Sequence, residues 1–567
     1  MIATGAICAS LTSCNSDYLD KEPVTSNTAY LIATTIEGAR GAKNGMLAGM
    51  YRQLSADAFN LWQQNGELSL SYFYGELGGS SLLSHACTVT LTGWADWTQY
   101  RDESQWGAVF MWYYAYNLIN WANLILENID NLDAFDGERD YIKATALAMR
   151  AHCYTRLVQV YAPNWENSNN GDIKCIVMRT SSSTEYKEFG TMNEALDLIY
   201  SDLNEAISLF DSCGWKRTFI WEMNGNIARG LLARAAAIKH DYQLAEQMAR
   251  EARAGYPIMS AEEYLQGFIV ANNEYLWANV FEPSFNKYYT YGSYNACNSQ
   301  YQETWQVTCV NAIDYTLYHK FPNTDIRKKL YLTPEMIELN PELSQKYGVK
   351  ASDFFDSSLC DNSNGYDIRT NNYNPAMQSF ILEYGQEEFN RHSQSYTFDE
   401  DTFVPYQRTG AQIPFGAQYK FWGDTEYATD QIAFMRAAEL AYLEAEMAYR
   451  NGNETRAREI MNELNKDIRD PNYNCTATGE ALLQEIKDYR TFELWGEGFN
   501  WFDLKRWHDP IVRTAWEPGN PESGNRGSNY LQYIGPDEYY GWVVCVPNGE
   551  FNTNKLARRD DLPGSNR

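Results

Sequence analysis

The residues best placed for chemistry in this chain are aromatic. Tyr72-Phe73-Tyr74 run into Gly75 and a Gly78-Gly79-Ser80-Ser81 turn, and Trp94 and Trp97 follow on either side of Asp96. A second string, Tyr288-Tyr289-Thr290-Tyr291-Gly292-Ser293-Tyr294-Asn295, is succeeded by Tyr301 and Trp305. An aromatic ring offers a flat apolar face and, in Tyr and Trp, a polar handle. A sugar ring has an apolar C–H face of its own and a rim of hydroxyls. Stacking on that face, with Asp or Asn bonding the rim, is the chemistry this mixture suits. Tyr72, Tyr74, Trp94, Asp96, Trp97, Tyr291, Tyr294, Asn295 and Trp305 are therefore the expected ligand contacts. The competing reading is that these rings simply pack an irregular part of the fold.

Catalytic patterns are missing by contrast. There is no GxGxxG, P-loop, HExxH or GxSxG, and the six histidines show no metal-ligand spacing. His152 falls in an apolar helical pattern and reads as structural; His508 reads as a surface or capping residue. A glycosidase needs two carboxyls about 5–9 Å apart. Glu76, Asp96 and Glu303 lie near aromatics, but nothing singles them out. No EF-hand pattern appears, and we assign neither a cofactor nor a metal site.

Composition narrows the partners. Asp and Glu number 74 against 46 Lys and Arg, a formal net charge of -28. A phosphate-backbone binder needs a basic footprint, so nucleic acid is excluded as a partner class. Charge alone does not hold such a chain to an anionic lipid surface either. Tyr 42, Trp 17 and Phe 24 make the chain 15% aromatic, with the excess in Tyr and Trp.

Helical patterns supply the elements that must position these residues. Apolar positions at three- and four-residue spacing predict helices over 104–126 and 139–162, the second stopped by Pro163. Thr191-Met192-Asn193-Glu194 is a capping box before an amphipathic run, Leu196, Ile199, Tyr200, Leu203, Ile207 and Phe210. Residues 224–239 and 241–254 form a helix pair around His240-Asp241. The arrangement returns as Asp430 to Arg450, an Asn451-Gly452-Asn453 turn, and Glu454 to Ile468. Such helix–turn–helix units stack by burying each other's apolar faces, as tetratricopeptide repeats do. The expected fold is mainly α, with tetratricopeptide-like helix pairs as a scaffold over 104–254 and 430–507. A loop-rich region, 256–429, is inserted between them as a ligand-binding subdomain, and an irregular region follows over 510–567. A structureless loop as long as 256–429 would be improbable, so it should hold small helices and hairpins.

The first thirteen residues, MIATGAICASLTS, are uncharged and mostly small or apolar, and Asn15 onward is polar. A membrane span needs about 20 apolar residues, so this reads as a processing segment instead. Leu11-Thr12-Ser13-Cys14 resembles a bacterial lipobox, although no Lys or Arg precedes it. That resemblance implies removal of 1–13 and lipidation of Cys14. Several acyl chains together give stable anchoring. The nine cysteines after Cys14 contain no CxxC, and their odd number leaves at least one unpaired within the chain. Cys153, on the helical pattern over 139–162, is expected to be core.

The most distinctive stretch runs from Arg490 to Trp507: Arg490-Thr491-Phe492-Glu493-Leu494-Trp495-Gly496-Glu497-Gly498-Phe499-Asn500-Trp501-Phe502-Asp503-Leu504-Lys505-Arg506-Trp507. It resembles the signature of the SusD/RagB family, surface glycan-binding lipoproteins of Bacteroidetes. Tyr489 stands where that signature usually has Glu, and Asn500 where it often has Arg. Arg436 to Glu446, Glu274 to Trp277, Asp325-Ile326-Arg327 and Val546 to Glu550 resemble further family segments, as does Cys14 to Pro23. The resemblance implies one composite domain over 14–567, built of four tetratricopeptide-like helix pairs under an irregular ligand-binding face. It implies a non-enzymatic protein that captures oligosaccharide or polysaccharide and hands it to a TonB-dependent outer-membrane transporter. Its expected location is the outer membrane, lipid-anchored and facing the exterior. A protein- or peptide-binding scaffold or adhesion lipoprotein of the same fold is the alternative. From the residues themselves, the signature reads as fold-defining: Arg490, Glu493 and Glu497 are spaced for buried ion pairing, and Asp503 and Arg506 should bond backbone or each other.

Overall fold

The computed structural model describes residues 32, 34–50, 66–84, 93, 95–134, 137–265, 268, 271–279, 311–350, 370–371, 376, 379–380, 383, 413–414, 416–418, 420–421, 431–515, 517, 520, 523–525 and 533–563. Ten helices of eight or more residues occur among them. These are α1 (Ile36–Ala48), α2 (Trp106–Asn128), α3 (Glu138–Tyr161), α4 (Met192–Ser212) and α5 (Gly225–Ile238). The others are α6 (Tyr242–Arg253), α7 (Ala437–Arg450), α8 (Glu454–Asn465), α9 (Glu480–Glu493) and α10 (Asn500–Trp507).

Local signals set most of these ends. The Thr191 hydroxyl accepts from the Glu194 N–H while the Glu194 carboxylate accepts from the Thr191 N–H, the capping box read from sequence. Asn224, Asp241 and Asn453 cap α5, α6 and α8 more simply, each side chain accepting one backbone N–H. Successive helices pack on one another, α2 on α3, α3 on α4, α4 on α5 and α5 on α6, and α6 then meets α7 across the sequence gap. The alanines of α7 permit that approach, and Glu444, fully buried on α7, accepts from Arg253 of α6 at 2.7 Å.

One boundary differs from expectation. The helix expected over 430–450 begins only at Ala437, because Ala433–Arg436 is a strand, β10, paired with β4 (Tyr275–Ala278). Arg436 is extended and forms the N-cap of α7. The local Ala-rich pattern favours helix, but strand pairing buries Phe434 and Met435 against Trp277 and Gly230. Gly230 on α5 leaves room for the Met435 side chain, whose sulfur would lie 2.4 Å from a Cβ at that position.

The described part of the loop-rich region contains short elements, as expected. β1 (Leu82–Ser84), β5 (Asn311–Ile313), β9 (Ala417–Gln418) and β6 (Tyr331–Leu332) form a four-stranded sheet in that order. Two-stranded pairs join β2 (Lys174–Val177) to β3 (Phe189–Thr191), β7 (Thr370–Asn371) to β8 (Ile413–Pro414), and β11 (Ile511–Val512) to β12 (Tyr533–Ile534). The C-terminal segment then threads inward. Val544 N–H donates to the Val160 carbonyl and Cys545 N–H to that of Tyr100. The described cysteines, Cys153, Cys175, Cys213, Cys475 and Cys545, are all free thiols, and Cys153 is core as expected. No helix among the described residues is long and apolar enough to cross a membrane.

Candidate functional site

The signature stretch lies at the centre of a buried charge network. Glu493, the last residue of α9, accepts from Arg327 at 2.9 Å, Arg436 at 3.0 Å and Arg469 at 3.1 Å. Glu497 accepts from Arg436 at 2.7 Å and from Lys420 at 2.7 Å. Arg436 also reaches Glu274 at 2.8 Å, and Arg327 is paired with Asp325 at 2.6 Å. Burial alone would raise Glu493, but Arg469, Arg436 and Arg327 outweigh it and hold its carboxyl well below the usual range. Arg490 pairs with Asp503 at 2.7 Å, and Arg506 bonds both Asp503 and Glu446. The expected Asp503–Arg506 contact is present. Arg490, Glu493 and Glu497, however, pair with other elements and not with one another, because α9 ends at Glu493 and the chain turns through Gly496 and Gly498.

The two departures from the family pattern have local roles. Tyr489 lays its ring under the Arg327 guanidinium at 5.2 Å. The Asn500 side-chain oxygen accepts from the backbone N–H groups of Ser80 (2.6 Å) and Ser81 (3.0 Å), tying α10 to the glycine-rich turn.

The aromatics expected to meet ligand are placed differently from that expectation. Ser71–Leu77 is a π-helical segment, buried throughout. Tyr72 donates to the Asn311 side chain at 3.0 Å, and Tyr74 to the Gly107 carbonyl at 2.6 Å. The Tyr74 ring stacks on Tyr100 at 5.2 Å, and Tyr72 and Tyr74 are both 0% exposed. Neither offers a face to a sugar, so the stacking role expected of them is corrected: they are core. Gly75 brings the segment against Gly498 so closely that a Cβ would lie 2.2 Å from the Gly498 carbonyl oxygen.

Trp97 is corrected in the same way. It is 0% exposed, with the Arg513 guanidinium 4.3 Å above its ring. Its φ of 62° is unusual for a bulky residue, and its buried indole N–H has no hydrogen-bond partner among the described residues. Asp96 is half-buried and accepts from the Thr98 N–H and hydroxyl, closing a local turn. Trp94, Tyr291, Tyr294, Asn295 and Trp305 lie outside the described residues, as do Cys14 and Glu303.

Glu76, the other carboxylate considered, accepts from the Gly498 N–H at 2.7 Å and the Ser81 hydroxyl at 3.2 Å. Burial pushes its carboxyl up to about 8 against the pull of these donors and of Lys420. His152 is buried against Glu67, 3.1 Å away, and edge-on to Trp277, a structural residue as expected. His508 ends α10 in the left-handed conformation and meets Asp537 at 2.7 Å. No cluster of three or more His, Cys, Asp or Glu among the described residues could hold a metal.

What the described residues do form is a cleft of about 410 Å³ beside the signature, between α9, one face of α10, residues 314–320 and Asp509–Val512. Its rim carries two ion pairs. Lys487 spans both oxygens of Asp509 at 2.8 and 3.0 Å, and Lys320 meets Asp488 at 2.6 Å. Leu317, Leu504 and Trp507 supply apolar surface between them. A rim of fixed donors and acceptors over apolar ground suits a polyhydroxylated ligand. The sequence reading missed this cleft because its rim residues are scattered over nearly 200 positions and look like ordinary surface charge.

Comparison with known proteins agrees on the lineage. A family model described as "Starch-binding associating with outer membrane" matches residues 80–235, and one described as "SusD family" matches residues 272–556, half of the chain. A SusD-like carbohydrate binding protein from Bacteroides vulgatus ATCC 8482 superposes with a TM-score of 0.69 at 18% identity, covering 94% of this chain and 98% of that one. A SusD superfamily protein from Bacteroides thetaiotaomicron VPI-5482 gives 0.66 at 16% identity over 92% and 99% of the two chains. Another from Bacteroides fragilis gives 0.60 at 15% over 93% and 99%. No curated protein matches the chain. The tandem match, with the helical scaffold and the buried signature network, shows that this chain belongs to the SusD family, whose members bind and do not catalyse.

Proposed function

We propose that the chain is a surface lipoprotein that captures oligosaccharide and hands it to a TonB-dependent transporter of the outer membrane. Family membership gives the coarser part, a carbohydrate-binding role associated with the outer membrane, and the tandem family match is the observation that carries it. The finer parts are our reading. Residues 14–567 act as one composite domain, anchored through lipid on Cys14 after loss of 1–13. Trp94, Asp96, Tyr291, Tyr294, Asn295 and Trp305 are the ligand contacts we propose, and the cleft at Lys487, Asp509, Lys320 and Asp488 is a further polar site. Its volume falls within the 300–1,000 Å³ range, roughly, of small-molecule sites.

Native electrophoresis through gels containing amylopectin, barley β-glucan, xylan or arabinogalactan tests the reading. At least one polymer should retard the full chain, and Trp94→Ala/Trp305→Ala should migrate faster in it. Migration unaffected by every polymer, with transporter association retained, would instead favour a protein- or peptide-binding scaffold. Cys14→Ala should shift the protein from the outer-membrane fraction to the soluble one.

A further inference from the structure

The connection from α4 to α5, residues 213–224, reads Cys-Gly-Trp-Lys-Arg-Thr-Phe-Ile-Trp-Glu-Met-Asn. It lies on the helical scaffold, and it carries Trp215 at 38% exposure and Phe219 at 54%. Exposed rings on a floppy loop would carry little meaning, but this loop is fixed on every side. Glu222 accepts from the backbone N–H groups of Thr218 at 2.8 Å and Phe219 at 3.2 Å, and its other oxygen holds Lys43 of α1 at 2.9 Å. Arg217 donates to the carbonyls of Ile220, Glu222 and Leu276 and to the Tyr256 hydroxyl. The Trp221 carbonyl accepts from the Trp277 indole at 3.1 Å. Trp221 in turn backs Phe219, the two rings lying 5.4 Å apart and within 9° of parallel. Trp215 leans on Tyr141 at 5.9 Å.

We infer that Trp215 and Phe219 form a second saccharide-binding surface on the scaffold, taking a neutral stretch of a longer glycan. This rests on the glycan-binding reading above and adds a contact on the connection from α4 to α5. A ring held in place before binding loses little conformational entropy when a ligand arrives. The two residues are four positions apart, so their Cα atoms lie within about 14 Å, a span one glycan chain can bridge. Lys216 and Thr218 are exposed between them and can bond hydroxyls. Other occupants fit less well. A stable protein interface needs about 1,000 Å² or more, far beyond two rings. A membrane-surface segment combines aliphatic residues with a basic run. Here Ile220 is half-buried, and the Arg217 guanidinium is turned onto backbone carbonyls.

The test compares the full chain with Trp215→Ala/Phe219→Ala and with Phe219→Tyr, in gels containing amylopectin, barley β-glucan, xylan or arabinogalactan. The polymer that retards the parent should hold the double variant about five- to tenfold less tightly, by the strength of lost aromatic contacts. A short oligosaccharide of that polymer should bind both equally in calorimetry, and Phe219→Tyr should behave as the parent. Equal retardation of parent and double variant overturns the inference and leaves the glycan reading standing. So does a loss of transporter or vesicle association with polymer binding intact. Failure of every polymer to retard the parent removes the glycan reading, and this surface with it.

Discussion

Two aromatic strings of this chain, Tyr72-Phe73-Tyr74 and the Trp215–Trp221 loop, are alike in composition and opposite in placement. The first is wholly buried, its hydroxyls spent on Asn311 and Gly107. The second stands out from the surface with its backbone locked. Both follow helical or polar segments and both sit beside glycine. The difference is what surrounds them. Gly75 lets the first string press against Gly498 under the signature turn, whereas Gly214 has nothing within 4 Å of where a Cβ would be. Aromatic density therefore marks a place where rings are needed, without saying whether for core or for ligand.

Five changes break or sharpen this contrast. The largest effect is expected at Glu493→Gln, which leaves three guanidiniums around a neutral amide. Breaking such a buried arrangement costs about 3–5 kcal/mol. Urea unfolding that shows less than about 1 kcal/mol would mean the network is not holding the buried side together. Gly75→Ala follows, since its Cβ must displace backbone and not a flexible side-chain end; overpacking of this kind costs about 1–3 kcal/mol or more. Thermal melting should fall by several degrees.

Tyr74→Phe removes the hydroxyl's bond to the Gly107 carbonyl and should cost about 1 kcal/mol in the same assay, with no change in polysaccharide binding. A change in binding at unchanged stability would return Tyr74 to the ligand site.

Glu76 gives the buried side a pH signature. Its folded carboxyl keeps its proton up to about 8, against an ordinary value of 4.5. Between those values the native state holds more protons than the unfolded one. Its contribution is therefore complete below about pH 4.5 and is lost as pH rises through about 8. Glu76→Gln cannot ionise, so its urea midpoint should gain on the parent between pH 5 and pH 8. A constant difference would show that Glu76 is already ionised when folded. The smallest effect belongs to the exposed string. Trp215→Ala/Phe219→Ala should cost no more than about 1 kcal/mol, the loss of the ring contacts with Tyr141 and Trp221.

Much of the scaffold was legible from local chemistry. The capping box at Thr191, the His240-Asp241 connection and the Asn451-Gly452-Asn453 turn act over three or four residues, so their spacing alone announces them. The family signature could be read as structural because its charges recur at helical spacing among tryptophans. The partners of those charges could not be read. Arg327, Arg436 and Arg469 reach Glu493 from three separate parts of the chain, and the strand Ala433–Arg436 exists only because Tyr275–Ala278 lies beside it. The expected ligand aromatics were the least legible. Tyr72, Tyr74 and Trp97 went to the core, while Phe219 was passed over between two helices. A string reading Trp-Lys-Arg-Thr-Phe-Ile-Trp outside any helical period was the signal available for it.

Helix placement, the absence of known catalytic motifs and the family signature thus follow from residue order, because each depends on neighbours a few positions apart. Which rings face solvent, which carboxylates are held ionised and where a cleft opens depend on segments that approach only after folding. Tyr74 and Phe219 carry comparable rings; the 0% and 54% that separate them come from the Gly75–Gly498 approach and from the bonds of Lys43, Leu276 and Tyr256 to the Phe219 loop, all made between segments distant in sequence.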